Sequence, residues 1–437
     1  MSADGTTAAQ MLGRLEANGD RPLRAMLEIS DRCNEVCVHC YQVQGQKGEL
    51  TTTEWRRALD ELAELGVLIL TLSGGEATLR PDFLEIVEYA RARGFLVRVF
   101  TNGLRMTAEL AAALRRLAVF DVEISVYSTR AEVHDFVTGV PGSFEKTVAG
   151  VRHLSAAGVP VTIKTSVMSV NQADLAGYAE FAGSLGAQWI LDPTGLMPRE
   201  GMDRAPEALN PDGAAVTRLA RQYELDVVLA ASSEPDGGRA AADEMLCGAA
   251  QQLHVEPNGE LRPCTMLEVP LGNVRAAGAL ASFQSPTARG MRALRWGDVH
   301  GCRECDLARH CARCHAAALA ETGDALAPYP SACARARLAA SSALVDSELR
   351  IIATNGRTAA LGPYRRVSPG VYETIEDRLT DEDRARAQHL GWVRHAGATQ
   401  AAPELAVRPG ELVQIRRPGR KSPGLERVPG GPARSTR

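Results

Sequence analysis

Ten cysteines fall in two groups and nowhere else, three within residues 33–40 and seven within 247–333. Thiols used only to fill a core would scatter along the chain, so this crowding marks ligands. Cys33, Cys37 and Cys40 follow one another at i, i+4 and i+7, a spacing that one face of a helix would also give. As ligands, three thiolates on one loop suit a soft metal. A closed structural zinc site takes four ligands, and His39 is the obvious nearby fourth. Three cysteines on a [4Fe–4S] cluster instead leave one iron free for a substrate or cofactor. The second group runs Cys247, Cys264, Cys302, Cys305, Cys311, Cys314 and Cys333, with Gly259-x4-Cys264 and two Cys-x2-Cys pairs. Two such pairs could make a zinc knuckle, yet seven thiols overfill one tetrahedral site.

The compartment decides how thiols are read. The N-terminal stretch has no basic region followed by an apolar one, and no apolar run approaches the roughly 20 residues that span a bilayer. The expectation is a cytoplasmic protein without membrane contact, where close-set cysteines bind metal rather than pair. Hydrophobic residues make up 45% and charged residues 23% of the chain, the balance of a soluble globular protein. A formal net charge of −4 points to neither nucleic acid nor an acidic membrane surface. A chain of 437 residues has room for two or three domains. We divide it into an N-terminal extension (1–21), an α/β unit carrying the cysteine trio (22–235), a Cys-rich domain (240–345) and a largely irregular C-terminal extension (346–437). Its last stretch, Arg408–Arg437, is basic and proline-rich and reads as a mobile tail.

Elements must hold the trio in place. Short apolar, β-rich runs at Arg24–Ser30, Val67–Ser73, Phe95–Thr101, Phe120–Tyr127, Pro160–Met168 and Ala187–Asp192 predict six strands. Helical stretches alternate with them at Thr53–Leu65, Asp82–Arg93, Ala108–Leu117, Ser143–Ala157 and Gln172–Leu185. Thr51, Thr52 and Thr53 supply cap candidates, and Gly66, Gly94, Gly158 and Gly186 each sit just past a helical run. The alternation predicts a parallel α/β sheet with right-handed crossovers, open or curled into a partial barrel. Beyond it, Ala214–Gln222 reads as a helix, Leu225–Ala230 as a short apolar run, and a further helical stretch runs from Ala334 to about Leu349. One strand face is polar: Glu123, Ser125 and Tyr127 alternate with Val122, Ile124 and Val126, and Thr162, Lys164 and Ser166 with Val161, Ile163 and Val167. Glu28 and Arg98 hold similar places. Either these are edge strands with a wet side, or the polar face lines a cavity, and an open barrel around a polar substrate fits the second.

With the trio placed just after the first strand, the string Leu27-Glu28-Ile29-Ser30-Asp31-Arg32-Cys33-Asn34, continuing to Cys37 and Cys40, resembles the CxxxCxxC signature of the radical SAM superfamily. The resemblance covers roughly residues 22–192. It implies a partial (β/α)6 TIM-like barrel and a [4Fe–4S] cluster whose open iron binds the amino and carboxylate groups of S-adenosyl-L-methionine (SAM). His39 holds the family's adenine-contacting place. Ser73-Gly74-Gly75-Glu76 ends the second strand like the family's GGE motif, which meets the methionine amino group. The physics agrees, since glycines admit close approach and a carboxylate pairs with an ammonium. Thr101-Asn102-Gly103 resembles the family's TNG element, Ser125 matches a cofactor-touching serine, and Lys164 could reach the SAM carboxylate or serve an unrelated ion pair. All these places are strand C-termini, where parallel α/β folds carry their sites.

The later cysteines resemble the SPASM domain, whose thiolates bind two auxiliary [4Fe–4S] clusters in peptide-modifying radical SAM enzymes. By that likeness Cys302, Cys305, Cys311 and Cys333 hold one cluster, and Cys247, Cys264 and Cys314 the other, with an unassigned fourth ligand for which His254 is a candidate. The final pair departs from the usual pattern by having two intervening residues instead of three. The resemblance implies reductive cleavage of SAM to a 5′-deoxyadenosyl radical, with an electron donor such as flavodoxin or ferredoxin. It further implies modification of a peptide, most naturally a ribosomally made precursor. The run His134–Phe144 also resembles sequences of such maturases, although it could be a loop leading into a helix. Two other readings stay open: a small-molecule substrate such as an aminosugar or tetrapyrrole precursor, and a non-catalytic zinc protein whose basic tail binds nucleic acid. No residue is assigned as a catalytic acid or base.

Overall fold

The computed structural model describes residues 21–193, most of 195–223, 247–299, most of 301–336, and a small antiparallel hairpin of Arg365–Ser368 and Val371–Glu373. The rest of the expected tail, the N-terminal extension, the run Leu225–Ala230 and the stretch toward Leu349 lie outside the described residues.

Six strands form in chain order where β-branched and aliphatic residues concentrate: β1 (Arg24–Ser30), β2 (Ile69–Gly74), β3 (Leu96–Thr101), β4 (Asp121–Ser125), β5 (Val161–Ser166) and β6 (Gln188–Asp192). Each pairs in parallel with the next. The sheet does not close, because β1 turns its other edge to a seventh strand. β7 (Leu253–Val255) pairs in parallel with β1, Ala25 opposite Leu253 and Leu27 opposite Val255. β8 (Glu260–Arg262) and β9 (Gly272–Asn273) then continue antiparallel, giving nine strands in the order β6-β5-β4-β3-β2-β1-β7-β8-β9. One continuous sheet thus runs across the boundary expected near residue 240.

The helices pack on one face of this sheet. α1 (Thr52–Glu64) starts at a capping box in which the Thr51 side chain accepts from the Glu54 amide and Glu54 reaches back to the Thr51 amide. Its residues Trp55, Ala58, Leu59 and Leu62 are buried, the i, i+3, i+4, i+7 stripe of a half-covered helix. α2 (Phe83–Ala92), α3 (Ala108–Arg116), α4 (Ala131–Thr138), α5 (Ser143–Ala157) and α6 (Tyr178–Ser184) follow. Gly158 closes α5 at φ +71°, where a side chain would be strained. Leu27, Ile29, Leu70, Leu72, Val97, Val99, Val122, Ile124 and Ile163 are buried in the layer between sheet and helices. The alternate residues point the other way, which leaves the polar set on the inside.

Two elements differ from the expectation. Residues 131–138, where no helix was expected, are helical (α4), with His134, Val137 and Thr138 buried. The helix begins after Arg130, which makes no side-chain cap, so the usual start signal is missing. The stretch expected as one helix over 172–185 is a 3-10 turn at Leu175–Gly177 followed by α6. Asn171 is spent before it, accepting from the Met168 amide at 2.7 Å and donating to the Tyr127 carbonyl at 2.8 Å.

α5 also sets the turn after β3. A Cβ on Gly150 would stand 2.6 Å from the Gly103 carbonyl oxygen, and Thr147 donates to the Asn102 carbonyl at 2.8 Å. Gly150→Val should therefore destabilise the protein by about 1–3 kcal/mol through overpacking, read as a lowered midpoint with unchanged slope in urea unfolding.

Candidate active site

The residues 31–51 that connect β1 to α1 carry the trio, and Cys33–Cys40 is irregular rather than helical, which removes the helix-face explanation of its spacing. Backbone bonds fix the loop on α4: the Val36 amide donates to the Thr138 carbonyl and the Val38 amide to the Val137 carbonyl, each at 2.9 Å. Asp31 ties its far side by accepting from the Lys47 amide at 2.8 Å. All three cysteines line a cavity of about 1350 Å3 at the C-terminal ends of the strands. Burial pushes the Cys33 thiol up to about 12 and the Cys37 thiol well above its ordinary value, the neighbouring Glu35 adding to the latter. Glu35 accepts from Cys37 Sγ at 3.2 Å and is itself raised by burial to about 8. Bare thiolates are costly here, and three soft donors on one wall fit a metal cluster whose charge makes deprotonation favourable.

Gly74 and Gly75 form the cavity wall beside the trio. Gly74 sits at φ +142°, and a Cβ there would stand 2.2 Å from the Ser30 carbonyl oxygen, so only glycine lets β2 end this close to the cysteine loop. Glu76 does not line the cavity. It is 1% exposed and lies behind the wall, accepting from the Thr78 amide (3.0 Å), Thr78 Oγ1 (2.5 Å), Thr101 Oγ1 (2.7 Å) and the Asn102 amide (2.8 Å). Asn102 does line the cavity and donates to Asn34 Oδ1 at 2.7 Å, one residue from Cys33.

Ser125, Tyr127 and Lys164 also line the cavity. The His39 ring meets Tyr127 edge-on at 4.7 Å between centroids. Lys164 Nζ donates to Glu123 at 2.9 Å and lies 3.0 Å from the Phe100 ring centre, and burial lowers its pKa. Glu123 in turn meets Arg98 Nη1 at 3.1 Å. Lys164 thus makes the ion pair that was its other expected role, while still facing the cavity.

The second cysteine group meets the same space. Cys247 and Cys314 line the cavity, and Cys264, raised by burial to about 11, lies within electrostatic reach of both. Cys302 lies within reach of Cys305 and Cys333, and it packs with Cys311 against Trp296 and Ala308. His254 joins neither set. It is a buried β7 residue whose Nε2 is 3.5 Å from Glu28, where Tyr41 also donates at 2.7 Å. Sequence reading missed this buried group. It also missed Glu256, whose carboxylate is held by Lys47 at 2.8 Å and Arg262 at 2.7 Å. Its signal is an acidic or basic residue at alternate places in short strands.

A largely parallel α/β sheet with cysteines of both groups lining one cavity defines a cluster-binding enzyme scaffold. Comparison agrees: residues 27–182 match the model of the radical SAM superfamily, and 247–314 that of the SPASM iron–sulfur cluster-binding domain. The chain is 32% identical over 333 residues to the AdoMet-dependent heme synthase of Methanosarcina barkeri, covering 69% of this chain and 94% of that one. It is 34% identical over 273 residues to the mycofactocin maturase MftC of Mycobacterium ulcerans (59% and 72% covered), and 28% over 333 to the PqqA peptide cyclase of Methylocella silvestris (71% and 87%). Among solved structures, Streptococcus suis SuiB bound to precursor peptide SuiA shares the fold, with a TM-score of 0.59, 17% identity, and 75% and 79% of the two chains covered. The chain belongs to the radical SAM superfamily and carries a SPASM domain. Its cofactors are therefore SAM, the [4Fe–4S] cluster that binds it, and auxiliary iron–sulfur clusters.

His134 supports Tyr127: its Nδ1 accepts from the Tyr127 amide at 3.1 Å, so the ring proton sits on Nε2. Burial lowers His134 to about 4 and His254 to about 3. Both stay neutral in the fold while the unfolded chain takes up protons below about 6.5. Stability should be full above pH 6.5 and fall toward pH 4 by about 1.4 kcal/mol per pH unit for each histidine. Urea unfolding from pH 7 to 4.5 checks this, and His134→Gln should flatten the slope.

Proposed function

We propose that this enzyme cleaves SAM reductively at a cluster held by Cys33, Cys37 and Cys40 and uses the radical to modify a peptide, in the manner of a maturase of ribosomally made precursors. The observation that carries the reading is the single cavity of about 1350 Å3 that the trio shares with Cys247 and Cys314. That exceeds the roughly 300–1,000 Å3 of ordinary small-molecule sites. When bound, the cluster supplies the electron that splits SAM into methionine and a 5′-deoxyadenosyl radical, which takes a hydrogen atom from the substrate.

The chain's own residues bind and orient. Gly74 and Gly75 let backbone approach the methionine amino group, while Glu76 acts from behind by holding Asn102 against the cysteine loop. His39, backed by Tyr127, offers a face for the adenine, and Ser125 a hydroxyl. Lys164, already paired with Glu123, presents its ammonium toward the SAM carboxylate. Cys247, Cys264 and Cys314 serve as one auxiliary ligand set, and Cys302, Cys305, Cys311 and Cys333 as the other. Among the described residues no helix is long and apolar enough to cross a membrane, which accords with work in the cytoplasm beside a flavodoxin or ferredoxin donor. The heme synthase relative, matched over 94% of its length, favours a tetrapyrrole as a second reading.

Anaerobically reconstituted protein given dithionite and SAM should release 5′-deoxyadenosine, and alanine at Cys33, Cys37 or Cys40 should abolish release. Co-expression with short reading frames beside its gene should yield a peptide of altered mass. A changed porphyrin and no changed peptide would select the second reading. Full release from Cys33→Ala would overturn both.

A further inference from the structure

Among the described residues, Arg80 is buried and Lys47 and Arg262 are half-buried, and each has a carboxylate partner. Arg80 meets Asp82 at 2.7 Å, Lys47 meets Glu256 at 2.8 Å, and Arg262 meets Glu256 at 2.7 Å. Arg313 is as buried as Arg80, at 7% exposed, yet among the described residues no carboxylate lies within ion-pair distance of it. Its guanidinium donates to the carbonyls of Ala325 (2.7 Å) and Ala327 (2.8 Å), meets His315 Nδ1 at 3.1 Å, and leaves Nε without a partner. The nearby cavity residue Glu321 is engaged by the Ser331 amide at 3.1 Å. A desolvated, uncompensated cation is expensive, and proteins keep such charges only when paired.

What faces Arg313 is sulfur. It stands between Cys311 and Cys314 in the sequence, lines the cavity together with Cys314 and Cys247, and lies within electrostatic reach of Cys302 and Cys247. Those cysteines belong to the two different auxiliary sets. We propose that Arg313 is the shared counter-ion of both auxiliary thiolate sets, a positioning residue that sets the reduction potential of the clusters they hold. The proposal rests on the assignment of these cysteines to auxiliary clusters. Adding an electron makes a cluster more negative, so a fixed cation beside its thiolates stabilises the reduced form and raises the potential. The same charge favours thiolate over thiol while the ligands await iron.

The test is an anaerobic redox titration of the full-length, reconstituted holoenzyme, followed by electron paramagnetic resonance, on the wild type, R313Q and R313K. In R313Q the auxiliary signals should titrate at least tenfold harder to reduce, about 59 mV lower for a one-electron couple. The signal of the SAM-binding cluster should not move, and R313K should recover most of the difference. Auxiliary potentials equal in R313Q and wild type overturn the proposal and leave the cluster assignment standing. Should R313Q take up no auxiliary iron, R313K decides. Loading with a near-wild-type potential supports the counter-ion, while failure of R313K to load beside an intact SAM-binding cluster assigns Arg313 to packing and overturns it. Wild-type protein that loads iron at the trio alone sinks the cluster assignment and this inference together.

Discussion

The Glu76 carboxylate joins the ends of two strands to the loop that carries the chemistry. It is buried, and its two oxygens are filled by Thr78, Thr101 and the Asn102 amide. A buried carboxylate with several donors resists displacement, because loosening any of them leaves a costly unsatisfied group. Asn102, so held, passes the constraint to Asn34 and hence to the backbone beside Cys33. α5 presses on the same turn from outside through Gly150 and Thr147. The thiols are thereby placed by polar contacts that reach them from β2 and β3, which suits a site that must hold soft ligands in one arrangement before any metal orders them.

Much of this was legible because it depends on local chemistry. β1 was bounded residue for residue, and the other five parallel strands within two residues, since aliphatic runs between helix signals admit few alternatives. The alternation of Val122, Ile124 and Glu123, Ser125 gave the two faces of β4 correctly. The cysteine groups marked the site because thiols filling a core would scatter along the chain rather than crowd at ligand spacing. What escaped depends on distant parts of the chain. α4 has no cap to announce it, and its helical state is fixed by His134 and Val137 being buried beneath the cysteine loop. The role of Glu76 as brace rather than cavity residue follows from which way β2 ends, which spacing does not encode. Lys164 was read with two roles, and geometry shows the pair with Glu123 without removing the ammonium from the cavity.

A second buried charge network joins the two cysteine regions from the side. Lys47, seven residues after Cys40, meets both Glu200 and Glu256, and Arg262 meets Glu256 and Glu260. The Glu200 amide donates to the Tyr41 carbonyl at 2.8 Å, and its carboxylate accepts from the Val43 amide at 3.1 Å. The segment after β6, the trio's loop and the β7–β8 hairpin therefore meet in one set of ion pairs. Such pairs add modest net stability but fix geometry, because breaking one strands a buried charge.

The pairing of β7 with β1 has a consequence for how the protein comes apart and how its lineage can vary. The cysteine-rich module lends a strand to the sheet of its neighbour, so it is not a detachable accessory. Stripping it away would bare the backbone donors and acceptors of β1 along an apolar edge, an invitation to self-association. The two modules should accordingly melt as one cooperative unit, and a lineage that exchanged the second for another would have to replace the missing strand in the same move.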